Sequence, residues 1–463
     1  QMLSERVVSN TINAAMMKGA EFVEIFAEDK LIGNIKTVGG LVEDSLSGRD
    51  YGAGIRIING LKSIYAYTND TSEDNMVRLA SEAAQSIKEG SPKELAFNKK
   101  DAPIYNMVDK LLFSTPRAEK LELLKRAYSS AKGYSNLITQ VTSSYMEEEQ
   151  DILIANSEGL WISDKRIRTR FAVSSVASLN GEMQQGYNAP GASMGFEFYS
   201  INPVEKIAEE ASRIAVEMIH GEYSPSGIMP VVIDNGFGGV LFHEACGHAL
   251  EASFVSKGVS AFGGKLGEMV ASPLVTAIDD GTLANGWGTT GIDDEGTPTR
   301  RNILIENGVL KSYLVDKLNG KRMGMESTGS ARRQSYRFSP TSRMNNTFIA
   351  NGDMDPMDII STTEYGLYAK SLGGGSVDPA TGDFNFAVME GYLIKNGRLT
   401  KPLRGATIVG NGVKVLELID AVGNNLALGQ GMCGAESGSI PANVGQPMIR
   451  VSSLTVGGRN GDI

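Results

Sequence analysis

Two of the three histidines in the chain lie close together in the segment LFHEACGHALEA. They are His243 and His248, and Glu244 directly follows the first of them. Imidazole nitrogens are good ligands for zinc, and a carboxylate beside a ligand can deprotonate a water on the metal. A buried helix that carries two histidines only for packing is the alternative. In so histidine-poor a chain, the pattern favours a zinc site with Glu244 as the general base.

The spacing of these histidines restricts the helix that carries them. In an ideal α-helix, residues five apart are rotated by about 140°, so their side chains cannot share one metal ion. A π-turn would return them towards one face. Gly247 directly precedes His248, and glycine allows backbone distortion at low cost. We therefore predict a helix from about residue 238 to 252 that is bulged or broken near Cys246 and Gly247.

A catalytic zinc site usually has three protein ligands and one open position. The segment GQGMCGAESG offers Cys433, although a small buried side chain is an equally good interpretation of this cysteine. Cys246 lies between the histidines and could bind the metal, pack in the core or form a disulfide with Cys433. Asp293, Asp294 and Glu295 in GIDDEGTPT are a third option, for which an acidic turn is the simpler interpretation. The residues alone leave these alternatives open.

The first half of the chain contains helical and strand patterns in alternation. Helices are predicted for LSERVVSNTINAAMMKG, with Ser4 as the N-cap, and for TSEDNMVRLASEAAQSIKEG, TPRAEKLELLKRAYSSAKG and NPVEKIAEEASRIAVEMIHG. Three strands between the first two helices predict an α-β-β-β-α unit. Residues 91–110 lack periodicity and are interpreted as a connector. We predict an N-terminal α+β region over 1–222, with a subdivision into subdomains near 91–110.

The second half is predicted to be a β-rich catalytic domain over 223–463, which carries the metal-binding helix. Its boundary is placed at the Gly/Ser/Pro-rich break GEYSPSG, residues 221–227. Asn-Gly pairs between apolar runs predict hairpins, and their irregular spacing argues against a solenoid repeat. These hairpins are IRIINGLKSIYA at 55–66, LIENGVLKSYLV at 304–315 and YLIKNGRLTKPL at 392–403. The fold class is therefore α+β, with N-terminal α/β domains before a β-rich C-terminal domain.

Composition narrows the class of protein. The 463 residues are 41% apolar and carry a formal net charge of −10, which argues against nucleic-acid binding. Arg332 and Arg333 in GSARRQSYR are interpreted as a solvated loop. Two cysteines are too few for a disulfide-stabilised secreted protein. No apolar run is long enough for a membrane helix, and the opening segment lacks a signal-peptide pattern. We expect a cytoplasmic protein with no membrane or nucleic-acid partner.

The motif HEACGHALEA resembles the H-E-x-x-x-H motif of the TldD/PmbA peptidase family, whose members are also called modulators of DNA gyrase. Other segments resemble family segments in the same order. They are GIDDEGTPTRRNILIENGVLKSYLVDKLN, the Gly373–Gly375 run in SLGGGSVDPATGDFNFAV, PLRGATIVGN, and the GMCG, VGQP and LTVGG pieces. The resemblance covers at least residues 229–460, and fewer motifs match in the N-terminal half.

The family contains active TldD-type subunits and PmbA-type partners that lack the metal motif, and this chain resembles the TldD type. The resemblance implies zinc held by His243, His248 and Cys433, with Cys246 at a position where the family has an apolar residue. It also implies cleavage of short or unfolded peptides, in a homodimer or in a heterodimer with a PmbA-type subunit. Glu244 would activate the attacking water, and an extended peptide would add to a sheet edge near the metal. A non-catalytic modulator or binding subunit is the alternative function.

Overall fold

The computed structural model describes residues 2–87, 90–378 and 381–458. The helices and strands of these residues are as follows. The α-helices are α1 (Glu5–Met16), α2 (Glu73–Ala83), α3 (Arg117–Gly133), α4 (Phe198–Ile201), α5 (Val204–Ile219), α6 (Val240–Phe242), α7 (Ala252–Val255), α8 (Lys317–Met323), α9 (Pro356–Ser361) and α10 (Gly412–Glu417). The strands before residue 193 are β1 (Phe22–Val38), β2 (Leu41–Asn59), β3 (Lys62–Thr68), β4 (Asn98–Asp101), β5 (Ile138–Asn156), β6 (Leu160–Leu179), β7 (Glu182–Asn188) and β8 (Gly191–Ala192). The later strands are β9 (Glu222–Tyr223), β10 (Gly227–Ile233), β11 (Ala277–Asp280), β12 (Arg301–Glu306), β13 (Val309–Leu310), β14 (Ala331–Arg332), β15 (Thr341–Ser342), β16 (Asn346–Ile349), β17 (Tyr365–Val377), β18 (Asp383–Lys395), β19 (Arg398–Arg404), β20 (Thr407–Asn411), β21 (Ile419–Val422), β22 (Ala427–Ala435), β23 (Gly438–Gln446) and β24 (Ile449–Gly457).

The first sheet contains β1 to β8 and runs in the order β3-β2-β1-β5-β6-β4, with β7 and β8 also paired to β6. Helices α1 and α2 pack on one region of this sheet through residues such as Ile12 and Met76. Helices α3 and α5 cover another region with Leu123 and Ala211. The predicted α-β-β-β-α unit is therefore confirmed as α1-β1-β2-β3-α2. Ser4 also caps α1 as predicted, because its hydroxyl accepts a hydrogen bond from the Val7 N–H.

The segment interpreted as a connector contains a strand that the sequence did not reveal. Residues 98–101 form β4, which pairs in parallel with β6. The four residues, NKKD, are all exposed. A strand that buries no side chain shows no alternation of apolar and polar residues. Its backbone hydrogen bonds do not depend on residue type, so the sequence gives no signal for such a strand.

Two large sheets and a small two-stranded sheet, β14–β15, form the second half. In one of the large sheets, β17, β10, β24, β20 and β18 pair successively, and β18 pairs back to β17, so these five strands close a ring around a large apolar core. The other large sheet has the order β13-β12-β11-β16-β23-β22, which makes β22 an edge strand. The Asn-Gly hairpins are confirmed as β2–β3, β12–β13 and β18–β19. The α+β fold class is confirmed, whereas the division at residues 222 and 223 stays a prediction.

No helix within the described ranges is both long enough and apolar enough to cross a lipid bilayer.

Buried charges join the first sheet to the second half of the chain. The ion pairs that cross between them are Arg166–Asp294 at 2.7 Å, Arg56–Glu295 at 2.6 Å and Arg333–Glu24 at 2.6 Å. The interpretation of Arg332 and Arg333 as a solvated loop is wrong, because both side chains are buried. Polarity alone suggested exposure, but Arg333 is buried in an ion pair with Glu24, and Arg332 is buried with hydrogen bonds to backbone carbonyl oxygens.

The Arg166–Asp294 pair provides a test of this junction. Burial opposes ionisation of Asp294, but Arg166 and Arg333 outweigh burial and lower the pKa of this carboxyl. Asp294→Asn removes a charge from a buried network, so we expect the free energy of unfolding to fall by about 3 kcal/mol in denaturant titrations. The surface pair of Glu82 and Arg78 serves as a control, since Glu82→Gln should cost less than about 1 kcal/mol.

The pH dependence of this effect has a definite sign. A carboxyl whose pKa is lower in the folded state stabilises the protein above its unfolded pKa of about 3.9. That stabilisation is lost as the pH falls through the folded pKa. The difference between the wild type and Asp294→Asn should therefore shrink in acid. Two results would contradict the role of this pair. One is a difference in the free energy of unfolding that stays the same in acid, and the other is no such difference at neutral pH.

Candidate metal centre

The segment that carries both histidines is a distorted helix. Residues His243–Gly247 form a π-helix, in which the His248 N–H donates to the carbonyl oxygen of His243. The π-turn follows α6 and is followed by a 3-10 turn over His248–Leu250. The predicted helix with a bulge is therefore confirmed: 3-10, α, π and 3-10 turns follow one another without a gap from residue 237 to 250. The extra residue in the π-turn rotates His248 back towards His243.

The π-turn brings three side chains to one point. The ring centroids of His243 and His248 are 5.0 Å apart. Cys433 Sγ lies 3.2 Å from Nε2 of His243 and 3.5 Å from Nε2 of His248. All three potential ligand atoms lie within 4.8 Å of one another. A tetrahedral zinc ion with ordinary Zn–N and Zn–S bonds would separate nitrogen and sulfur by about 3.5 Å, so this donor set fits zinc in both chemistry and size.

Gly247 has a different role from the one suggested by the sequence. Its φ of −57° and ψ of −47° are ordinary right-handed helical values that any residue adopts. A Cβ at this position would lie only 2.4 Å from Sδ of Met344. Glycine is therefore required by close packing between the π-turn and the segment before β16, and not by backbone distortion.

Cys433 reaches the histidines because the hairpin of β22 and β23 folds back over the π-turn. Cys433 pairs with Ile440 across this hairpin. The buried Arg343 holds the hairpin in place, since its Nη2 donates to the Cys433 carbonyl oxygen at 2.5 Å and its Nη1 to the Ser437 hydroxyl at 2.8 Å. Arg343 was missed from the sequence, because a single arginine far along the chain carries no signal of this contact.

The three side chains form an electrostatically coupled group. Burial opposes ionisation of Cys433, but hydrogen bonds from His243 and His248 lower the pKa of this thiol to about 4. Burial likewise opposes protonation of His248, and the Glu251 carboxylate raises the pKa of this imidazole well above its ordinary value. A thiolate between two imidazoles is a soft, anionic donor set of the kind that binds zinc and similar metals.

Glu251 orients the second histidine. Its Oε1 accepts a hydrogen bond from His248 Nδ1 at 3.1 Å, and its side chain is only 1% exposed. This bond leaves Nε2 of His248 free to face His243 and Cys433. Glu251 was missed, although its position three residues after His248 in HALE is a signal that can identify such a partner on a helical turn.

Glu244 lies beside the cluster. One carboxylate oxygen is 3.8 Å from His248 Nε2, and the side chain is 39% exposed. It therefore differs from Glu251, which is buried on the other side of the same imidazole. A partly exposed carboxylate near the metal-binding atoms can exchange protons with a water molecule there.

The competing ligand candidates lie elsewhere. Cys246 is fully buried, and its Sγ lies 3.3 Å from the Gly412 carbonyl oxygen, to which the thiol donates. Burial raises the pKa of this thiol. Both cysteines are free thiols. Asp294 and Glu295 form the buried ion pairs described above, and Asp293 accepts hydrogen bonds from the backbone of its own turn and of Ala331.

The Gly373–Gly375 run lies within β17. Gly375 pairs with Phe386 of β18, and Gly373 and Gly374 fall in the register shift between Leu372 and Gly375. A Cβ on Gly375 would lie 2.3 Å from the Phe386 ring. Gly375 therefore allows close contact between the two strands.

Comparison with known proteins identifies relatives over most of the chain. Family models of the PmbA/TldA metallopeptidase domain 1, central domain and C-terminal domain match residues 23–87, 110–219 and 226–458. A metalloprotease TldD homolog of Buchnera aphidicola subsp. Acyrthosiphon pisum is 39% identical over 88% of this chain and 87% of its own length. The corresponding homolog of Haemophilus influenzae is 36% identical over 91% and 89%. A zinc metalloprotease TldD homolog of Saccharolobus solfataricus is 31% identical over 57% of this chain and 58% of its own length.

Solved structures share the fold. A Thermotoga maritima protein named as a modulator of DNA gyrase superposes with a TM-score of 0.82 at 21% identity, covering 98% of this chain and all of that one. TldE from Thermococcus kodakarensis superposes with a TM-score of 0.77 at 20% identity, covering 97% and 99%. The sequence matches and the clustered side chains indicate a metal-dependent protease family. By these matches, the chain belongs to the PmbA/TldD family of metallopeptidases.

Proposed function

We propose that this protein is a zinc-dependent metallopeptidase that cleaves short or unfolded peptides. The observation that carries the proposal is the convergence of His243, His248 and Cys433 within 4.8 Å of one another, with Glu244 beside them. These three residues are proposed as the zinc ligands, and Glu244 as the general base. The name of the Saccharolobus solfataricus relative supports zinc as the metal.

Each residue of the site would have a separate role in the reaction. Zinc, when bound, would polarise the scissile carbonyl and lower the pKa of the attacking water. Glu244 accepts a proton from that water and donates it to the leaving amine. Glu251 holds the His248 ring so that Nε2 lies beside Cys433, where it would bind zinc. Arg343 fixes the Cys433 backbone, which positions the thiolate.

An extended peptide would add to the edge strand β22. This strand pairs with β23, and among the described residues its only other backbone pairing is a single bridge between Leu428 and Gly236. The Gln430 carbonyl oxygen also accepts a hydrogen bond from Arg170 at 3.0 Å. Met432 is 51% exposed and lies next to Cys433. Backbone hydrogen bonds along such an edge bind a peptide without requiring a particular sequence. The proposal therefore includes unstructured peptides as substrates.

The assembly and location of the protein are also proposals. Similarity to TldE supports a homodimer or a heterodimer with a PmbA-type subunit. We propose that the protein acts in the cytoplasm and does not bind nucleic acid, in keeping with its net charge of −10.

Metal analysis combined with peptide hydrolysis tests this function. The purified protein should contain close to one zinc per chain and cleave an unstructured peptide. A chelator should abolish cleavage, and added zinc should restore it. Zinc-loaded protein that cleaves no unstructured peptide, alone or with a PmbA-type partner, would instead support the alternative of a non-catalytic modulator subunit.

Glu251→Gln provides a test of histidine orientation. An amide accepts the His248 N–H less strongly than a carboxylate does, so we expect zinc affinity to fall by about 10- to 100-fold. Competition with a chromogenic chelator measures this change. Glu268 is exposed, and Glu268→Gln serves as the matched control with unchanged affinity. Equal zinc affinities in both variants would contradict the orienting role of Glu251.

A further inference from the structure

A small cavity lies between the first sheet and the β22–β23 hairpin, close to the proposed zinc ligands. Its volume is about 260 Å³, and Met432 and Ile440 are among its lining residues. Met432 directly precedes Cys433, and Ile440 pairs with Cys433 across the hairpin. The cavity therefore begins within one residue of the proposed metal ligand, at the edge where the peptide is proposed to bind.

The cavity has an excess of positive charge. Five cationic side chains line it, but only two acidic ones. Asp294 is already paired with Arg166. The second acid, Glu148, is shared by Arg168 at 3.1 Å and Lys30 at 4.0 Å. Arg333 is paired with Glu24, which does not line the cavity. Among the described residues, Arg332 is therefore the one cation of this lining without an acidic partner.

Arg332 is the clearest uncompensated charge. It is only 3% exposed, and within the described part of the chain it forms no ion pair with a carboxylate. Its Nη1 donates to the carbonyl oxygens of Met344 and Pro441 at 2.8 and 2.6 Å, which anchors the guanidinium against β23. Burial and the nearby charge of Arg168 lower the pKa of Arg332 to about 9. A buried cation without an anion is costly, so such a site favours an anionic ligand.

Arg168 is a second buried arginine of this cavity, and one of its hydrogen-bond donors has no partner in the part of the chain that the structure describes. It is 4% exposed and lines the same cavity, and its buried Nε has no hydrogen-bond partner among the described residues. Arg168 Nη1 already donates to Glu148, but the unused Nε–H leaves this guanidinium able to donate to an oxygen of a further carboxylate.

We propose that this cavity, between Arg168 and Arg332, binds a carboxylate of the peptide substrate. The inference rests on the proposed peptidase function and specifies its substrate class. The small volume suits one carboxylate-bearing side chain or one chain terminus, and excludes larger ligands. The carboxylate comes either from the C-terminus of the peptide or from an Asp or Glu side chain near the scissile bond.

Binding of matched peptides to the zinc-loaded Glu244→Gln protein tests this inference without turnover. Three fluorescent peptides share one neutral sequence. The first has an amidated C-terminus, the second a free C-terminus, and the third an amidated C-terminus with one Glu. We expect the second or the third to bind about 10- to 100-fold more tightly than the first, and the tighter one identifies the source of the carboxylate. The protein's net charge of −10 disfavours non-specific binding of acidic peptides, so a higher affinity for them would indicate a local binding site.

Arginine variants show which side chain is responsible for the higher affinity of the carboxylate-bearing peptide. Arg168→Gln should remove this increase in affinity and leave the affinity for the neutral peptide unchanged. Arg78→Gln, on the surface of α2, should preserve the increase. Equal affinities for all three peptides would overturn the proposal, as would an increase that survives Arg168→Gln. The peptide comparison needs no arginine variant, so it decides the question even if Arg168→Gln does not fold. Hydrolysis by the wild type without any carboxylate preference would refute this inference alone, whereas absent hydrolysis would refute the proposed function.

Discussion

Glu244→Gln is expected to retain zinc and to lose peptide hydrolysis almost completely. Glutamine has nearly the same size as glutamate but cannot accept the proton of the attacking water. General acid–base catalysis commonly contributes about 10²- to 10⁴-fold, and the rate constant kcat should fall by a factor in this range. Metal analysis and kinetics on the same preparation measure both quantities.

The two readouts separate two roles of Glu244. Its carboxylate lies 3.8 Å from His248 Nε2 and is partly exposed, which fits a base more than a ligand. Loss of zinc together with activity would instead make Glu244 a metal ligand. Full activity in Glu244→Gln would remove the proposed mechanism. Glu268→Gln, at an exposed position, controls for the loss of one negative charge.

Cys433→Ala is expected to abolish tight zinc binding and activity. The thiolate is one of the three proposed ligands, and its loss would leave two imidazoles, which are too few for a tight catalytic site. In the proposed site, zinc would also join the β22–β23 hairpin to the π-turn, so the melting temperature of the protein with zinc should fall by several degrees in this variant. Differential scanning calorimetry with and without zinc measures this change.

Cys246→Val is the matched control. The buried Cys246 thiol bonds to the Gly412 carbonyl oxygen and lies outside the proposed ligand set. A thiol is a weak donor and packs like a small apolar side chain, so valine should cost little stability and leave zinc at close to one per chain. The opposite pattern, with zinc lost in Cys246→Val and kept in Cys433→Ala, would show that the ligand assignment is wrong.

Short-range patterns predicted much of the fold. The i,i+5 spacing of His243 and His248 required a π-turn, which the structure contains. The Asn-Gly pairs predicted three hairpins, and apolar periodicity predicted α1. These features depend on neighbouring residues, so they can be inferred from the sequence.

Long-range contacts could not be inferred in this way. The buried ion pair of Arg166 and Asp294 joins residues 128 positions apart, and Arg343 contacts Cys433 from 90 positions away. Neither contact affects local periodicity. The closed ring of β17, β10, β24, β20 and β18 likewise depends on pairings between distant strands. Of the candidate site, the histidine pair could be inferred from local spacing, whereas Cys433 required the family resemblance.

Zinc K-edge X-ray absorption of the Cys246→Val protein tests the central claim most directly. Cys433 is then the only cysteine in the chain, so any thiolate ligand must come from it. The account predicts one sulfur at about 2.3 Å and two imidazole nitrogens at about 2.0–2.1 Å from zinc. A zinc shell made only of nitrogen and oxygen atoms would contradict the proposed centre.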